Sequence, residues 1–309
     1  MKDPNDQFKK VMASKKFDIE HALGMHAYSF YDLPAESIYD PTLIDRFGKG
    51  VKDCHIYLIG YVPKVDLKNV RHDGLEVIFD LESLGVEYSV SFSTPEGVSL
   101  EEEGGRWLLS DGSGNRYGPS PQQLTQALVQ QHGGMSFEIV YVGQAYGTDG
   151  SRHAIDRLRK HETLQKIALK GAPAGYRLQL LLLEVHPSNR IFTSINSWAQ
   201  DASQSDERIK SGLDKLFDTS EHERITLYEA ALISYFKPPY NKEFKNSFPS
   251  TNLKVLADCY DKDFSSVIAE ICFDDFHYLL WSKSVEKKFF HIVNIDLHTE
   301  NERKVFFAV

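Results

Sequence analysis

Glu229, Arg157, His161 and Tyr141 are the residues whose types and spacing could do chemistry. Glu229 lies between Thr226 and Phe236, where apolar residues recur at Ile225, Leu232 and Phe236 with the period of a helix. An ionised, unpaired carboxylate on that stripe loses several kcal/mol or more of solvation on burial, so it calls for a cation, a metal or strong donors. A structural ion pair is the plainest answer. A second helical pattern starts at Ser151. Ala154, Leu158 and Leu164 mark its inward side, Arg157 and His161 share that arc four residues apart, and Arg152 and Arg159 face solvent. A hydrogen-bonded core histidine is the competing reading of His161. The strand just before this helix, Ser136 to Gln144, carries Tyr141 and Gly143. An arginine, a histidine and a glutamate on the inner faces of two helices, beside a strand ending in glycine, describe a phosphate site.

Cleaving a phosphodiester requires an activated water, neutralised non-bridging oxygens and help for the leaving oxygen. The fork of Arg157 matches two phosphate oxygens at once. Glu229 could hold a single Mg²⁺ or Mn²⁺, since Mg²⁺ takes one or two carboxylates and keeps several waters. Tyr141, with a reference pKa of about 10, could orient or activate water only beside positive charge. His161 fits either an alternative base or a second phosphate contact. Gly143, Gln144 and Asn241 complete the set on the substrate side, with Tyr146 near them. Asn241 also suits a brace for the loop after the Glu229 helix.

Tyr141-Val142-Gly143, the Arg157 helix, and Glu229 followed twelve residues later by Asn241 resemble the GIY-YIG nuclease superfamily over about residues 136 to 245. The resemblance implies an α+β fold, a small sheet flanked by helices. It also implies a metal-dependent endonuclease, acting most of all on DNA, with RNA as an alternative. By the same resemblance Tyr141 is the tyrosine of the YIG-type strand, Arg157 the helix arginine, Glu229 the metal-binding glutamate and Asn241 the residue after the Pro-rich turn. The family's other tyrosine ends a strand shortly before the YIG strand. No such tripeptide lies close upstream of Ser136; His55-Ile56-Tyr57 and Tyr117 are the candidates for it. Gln144 stands where the family often has lysine. The alternative is a non-catalytic binding or assembly protein that keeps the fold and pairs Glu229 with Arg157.

Positioning these residues falls to three stretches. Residues 1–130 form an acidic, β-rich N-terminal module suited to a protein partner, 131–250 the nuclease-like domain, and 251–309 a β-rich extension. Their formal charges are -7, +1 and -3, and residues 152–170 carry +4, a basic helix inside an acidic protein of net charge -9. Helices are expected over Lys9–Met25, from Ser120 to His132, from a cap at Ser151, and over Asp206–Phe217. Strands are expected at 55–62, 75–81, 86–93, 136–144, 176–185, 266–273, 289–295 and 304–309, with a hairpin over 106–118. Residues 31–36 and 187–203 read as loops, 147–150 as a turn, and Asp258, Asp261 and Asp263 as surface charges. Cys54, Cys259 and Cys272 have neither disulfide numbers nor zinc spacing, which points to a reducing cytoplasm. No apolar run is long enough to cross a membrane. No P-loop, dinucleotide fingerprint, GxSxG or HExxH is present.

Overall fold

Four consecutive leucines, Leu180 to Leu183, fix the centre of the molecule. Successive side chains of a strand point to opposite faces, so this run can be buried only where both faces are covered. Leu181 and Leu183 enter one apolar core and Leu180 and Leu182 another. The computed structural model describes residues 4–47, 50–104, 106–111, 113–146, 154–249, 253–274 and 276–307. The expected turn at 147–150 and the cap at Ser151, with Arg152, fall outside the described residues.

The chain opens with helix α1 (Pro4–Ala13) and strand β1 (Ile19–Pro34). A single 3-10 turn (Ala35–Tyr39) leads to α2 (Pro41–Phe47) and then β2 (Ile56–Pro63). The helix expected over Lys9–Met25 ends at Ala13. From Ile19 the first nine positions of β1 are buried. Both its faces are covered there, with Glu20, His21 and His26 buried among the apolar residues, so it shows no period-2 signal. Pro34 ends it where a loop was expected from Tyr31.

Two small antiparallel sheets follow. One comprises β3 (Asp66–Asp73), β4 (Glu76–Ser83) and β5 (Val86–Ser93), and the other β6 (Ser99–Glu103), β7 (Arg106–Ser110) and β8 (Arg116–Tyr117). Helix α3 (Pro121–His132) starts as its sequence requires. Ser120 Oγ accepts from the Gln123 N–H while the Gln123 side chain accepts from the Ser120 N–H, and Pro121 takes the first turn. It delivers the chain to β9 (Met135–Gln144).

Next come α4 (Ala154–Arg159), α5 (Glu162–Lys170), β10 (Tyr176–Val185), β11 (Arg190–Ile195), α6 (Ser205–Asp218) and α7 (Glu221–Phe236). The last part holds α8 (Lys254–Asp261), β12 (Ser266–Ile271), β13 (Tyr278–Ser282), β14 (Val285–Lys288) and β15 (His291–Asp296). β11 occupies part of 187–203, where no strand was expected. Residues 304–307 form no strand. Just before them Arg303 is drawn inward, with its Nε 2.6 Å from Glu20 and its Nη1 2.8 Å from Asp263. Arg208 binds the same two carboxylates, at 2.8 and 2.6 Å, so Asp263 belongs to a largely buried ion network rather than to surface charge.

The fold is α+β around one sheet of nine described strands, ordered β14-β13-β9-β2-β10-β1-β12-β15, with β11 also on β1. The expected small sheet is therefore one part of a much larger one. β9 and β10 share it as expected, but β2 lies between them, antiparallel to both. Strands from all three expected stretches join this sheet, so it cuts across the divisions at 130/131 and 250/251. Residues 64–134, with the two small sheets and α3, are inserted between neighbouring strands β2 and β9.

Candidate functional site

The register of β2 on β9 decides what the site contains. Tyr57 lies opposite Gly143, and Ile59 opposite Tyr141. Tyr57 and Tyr141 are thus diagonal neighbours on one face, with ring centroids 6.2 Å apart and planes at 24°. Gly143 makes this arrangement fit. A Cβ there would stand 2.6 Å from Cζ and Oη of Tyr57. Its expected substrate contact gives way to a steric role, leaving room for a tyrosine from the next strand. Tyr117, the other candidate, is exposed on β8 in a separate sheet.

The basic segment lies over this pair, but not as one helix. The chain leaves α4 after Arg159 and restarts as α5 from His161, which caps it: Leu164 N–H donates to His161 Nδ1 at 3.2 Å. In the neutral ring that bond leaves the proton on Nε2. Burial, and then the Arg157 charge, hold the imidazole pKa below its ordinary value. His161 therefore offers an N–H donor rather than a free base, with its ring 5.6 Å from Tyr57 and 5.1 Å from Tyr141. Arg157 is exposed in an open cleft that Arg159, Lys160 and His161 also line. Arg159 is not the solvated charge expected. Its Nε donates to the Ile38 carbonyl at 2.7 Å, tying α4 to the 3-10 turn after β1.

Glu229 comes from α7, whose start is fixed by a capping box between Ser220 and Glu223. The helix is buried on more than one side, and Glu229 is only 9 % exposed. Among the described residues it forms no salt bridge within 4.0 Å, so the simple ion pair with Arg157 is not there. Burial pushes its carboxyl up to about 8, against the pull of Arg157 and the Gln144 backbone N–H. Gln144 thus serves the carboxylate through its backbone N–H, while its side-chain Oε1 accepts from Thr226 Oγ1 of the same helix at 3.4 Å. Both tyrosines titrate above the ordinary range. Burial dominates for each; Tyr141 adds to it at Tyr57, Glu229 adds to it at Tyr141, and Arg157 opposes it at both. The Tyr57 hydroxyl is buried with no hydrogen-bond partner within 3.5 Å. The Arg157 guanidinium favours its phenolate.

Asn241 does not face a substrate. β13 pairs with β9 only over Met135–Glu138, which leaves the far edge of β9 open. The loop after α7 closes it: Tyr240 N–H donates to Val140 O at 3.1 Å. Asn241 Oδ1 accepts from Val142 N–H at 2.9 Å, and its Nδ2 donates to Val142 O at 2.8 Å. Both ends of the amide are used, so Asn241 is a clamp on the strand between Tyr141 and Gly143. Tyr146 donates to Glu221 at 3.0 Å and packs on His55 and His222.

No family model, characterised protein or solved structure matches the chain. The site must therefore be judged on its own chemistry. Among the described residues no three His, Cys, Asp or Glu side chains gather as a metal cage. A hard cation that keeps most of its waters needs only one or two carboxylates. Glu229 is buried and without a paired cation, and the orphaned Tyr57 hydroxyl lies in the same cluster. The residues present fit Mg²⁺ or Mn²⁺ on that basis. No helix among the described residues is long and apolar enough to cross a membrane.

Proposed function

We propose that the chain is a metal-dependent endonuclease of the GIY-YIG type, acting on DNA, with Tyr57 as its first-strand tyrosine. The observation that carries this reading is a convergence. Tyr57, Tyr141, Arg157, His161 and Glu229 come from β2, β9, α4, the cap of α5 and α7; the His161 ring packs near both tyrosines, and Arg157 and Glu229 act electrostatically on both. Neither packing nor the ion network elsewhere requires two tyrosines, an unpaired carboxylate and an exposed arginine together. The cleft is lined by Arg157, Arg159 and Lys160 against Asp156 and Glu162, a small excess of positive charge in a protein of net charge -9.

In this reading the phosphodiester lies in the cleft with two non-bridging oxygens on the Arg157 guanidinium. The Nε2–H of His161 supplies a second donor to the phosphate. The Tyr141 hydroxyl holds the attacking water, with the buried Tyr57 ring behind it. Both phenols are kept neutral by burial, so Tyr141 orients the water rather than taking its proton outright. Water oxygen forms the new bond to phosphorus as the bond to the leaving oxygen breaks; the water proton passes to solvent and the leaving oxygen takes one from solvent. When bound at Glu229, Mg²⁺ or Mn²⁺ supplies Lewis acidity for this exchange. The free thiols of Cys54, Cys259 and Cys272 suit a reducing cytoplasm, where we place the protein.

Cleavage of a panel of DNA and RNA forms with Mg²⁺ tests the proposal. Tyr141→Phe should lose about 10²-fold in rate, as removal of a hydrogen-bonding catalytic group typically does, and Tyr117→Phe should lose nothing. Full activity in a folded Tyr141→Phe protein, or no cleavage of any nucleic acid by the wild type, would overturn it.

A further inference from the structure

Helix α6 is built inside out. A helix on a protein surface normally turns its apolar stripe to the core. Here the inward residues are Arg208, which binds Glu20 and Asp263, Gly212, which leaves room for the His21 ring, and Lys215, which binds Asp258. Ile209, Leu213 and Phe217 stand four residues apart in an outward ridge, and Phe217 is 81 % exposed. At about 100° per residue, Ile209 lies on the flank opposite Asp218, which reaches Lys262 at the end of α8. The ridge is therefore turned away from α8.

On that flank lies β11. Here β1 has β12 on one side and β11 on the other, and α8 runs into β12. Arg208 Nε donates to the Ile19 carbonyl at 2.5 Å and Gly212 sits over His21, so α6 follows the direction of β1. Ile19 pairs with Ile195 and His21 with Thr193, whose Oγ1 is 2.9 Å from His21 Nδ1. Thr193, and with it Ile191 and Ile195, faces α6. Ile209 is thus level with Ile195, and Leu213 with Thr193. Ile195 is 78 % exposed. Among the described residues β1 is the only strand that pairs with β11, which leaves its other edge open. Edge strands are normally guarded by charge, proline or a bulge. Beyond Arg190, β11 carries no charge or proline, and its register on β1 is unbroken.

We propose that two copies of the chain meet on this face, β11 pairing antiparallel with β11 so that the sheet runs on through the dimer. The proposal goes beyond the nuclease reading and does not rest on it. Antiparallel edge strands in one sheet are related by a two-fold axis normal to it, and the same axis must relate the two α6 helices. Strand and helix agree on its place. With Thr193 on the axis, Ile191 of each strand lies opposite Ile195 of the other, on the side of α6. Leu213, at the same level, then meets its own copy, and Ile209 falls against Phe217 as ridges of this spacing interdigitate. Exposed Lys210 comes beside exposed Asp214 of the second copy, twice, which fixes register more than it adds affinity. A two-fold contact needs a surface complementary to itself. The open edge, the ridge and the charge row meet that need about one axis, whereas a strand from another protein would account for the edge alone.

Sedimentation of the full chain from about 1 to 100 μM, the range over which moderate homodimers dissociate, tests the proposal. The wild type should pass from monomer to dimer. Leu213→Asp should raise the dissociation constant by about 10²-fold or more, since each copy gives up one buried leucine. Lys210→Asp should weaken the dimer by about tenfold at low salt, and adding Asp214→Lys to the same chain should restore it. With Cys272 replaced by serine, Leu213→Cys should form a disulfide-linked dimer under mild oxidation, while Leu169→Cys, exposed on α5, should not. A wild type still monomeric at about 100 μM leaves the edge to another protein or to none, and overturns the proposal. So does a dimer that a folded Leu213→Asp protein forms as tightly, a charge exchange that restores nothing, or cross-linking at Leu169 equal to that at Leu213. Should Leu213→Asp fail to fold, the charge exchange and the cross-link decide.

Discussion

Replacing Glu229 by glutamine should make the protein more stable in alkaline solution and leave it unchanged in acid. The folded-state pKa of about 8 lies above the ordinary 4.5 because burial disfavours the carboxylate. The folded protein therefore keeps a proton that the unfolded chain releases. Its stability is greatest below about pH 4.5, falls as pH rises from there to about 8, and levels off above. At ~1.4 kcal/mol per tenfold change in proton affinity, the full fall is at most ~5 kcal/mol. Glutamine has the shape of the protonated acid and does not titrate. Near pH 8.5, Glu229→Gln should thus melt roughly 5 to 10 °C above the wild type without divalent ions, at about 2 °C per kcal/mol for a chain of this size. The two should melt together near pH 5. Adding Mg²⁺ should raise the wild type alone, by about 1.4 kcal/mol at ten times its dissociation constant. Thermal scans of both proteins from pH 5 to 9, with and without Mg²⁺, give the comparison. Parallel pH curves would mean that a partner already balances the carboxylate, and the metal-binding role would fall with its lack of a partner.

The two neighbouring arginines should fail in different ways. Arg157→Ala should fold normally and lose about 10² to 10³ in single-turnover cleavage, as loss of a preorganised charge donor does, whereas Arg159→Ala should lose ~1 to 3 kcal/mol of stability by leaving the Ile38 carbonyl unmet. Equal loss of rate with no loss of stability in both would show that α4 presents neither residue specially. Gly143→Ala should cost about 1 to 3 kcal/mol through the clash with the Tyr57 ring and should also abolish cleavage; an active, fully stable variant would mean that β2 and β9 are not in this register. Asn241→Ala strips both partners from Val142 and should cost ~2 to 4 kcal/mol in chemical denaturation, with Asn241→Asp no milder, because a second oxygen would face the Val142 carbonyl. A loss of DNA affinity without loss of stability would return Asn241 to the substrate.

What could be read from the sequence was whatever depends on neighbours along the chain. The cap at Ser120, the strand with four leucines, the helix from Glu221 and the anomaly of Glu229 all follow from local pattern. So did Tyr141 and Arg157, which lie on consecutive elements. β1 escaped because a strand covered on both faces has no alternation to detect, and β11 because it is short and lies at the sheet's margin. The split of the basic helix escaped because His161 has two uses at that position, as a helical residue and as a cap, and the side chain chose the cap.

Tyr57 is the instructive case. His55-Ile56-Tyr57 stood in plain view, and nothing local separated it from Tyr117. What separates them is register, since a strand's partner is set by the whole fold and a one-residue slip would turn Tyr57 to the other face. Gly143 is the local trace of that long-range fact. Tyr57 lies directly opposite it, and its backbone is closed on the other side by Asn241 through Val142. A glycine inside an apolar strand signals that something approaches closely, and here the thing approaching is the Tyr57 ring from β2, which precedes the insertion. The long excursion over residues 64–134 between two adjacent strands costs little, because closure entropy grows only with the logarithm of loop length, and those residues fold into small sheets of their own on the way. The insertion can therefore vary without moving the tyrosines. The same logic makes the Tyr57–Gly143 contact, rather than any spacing in the sequence, the feature by which a second chain with this site should be sought.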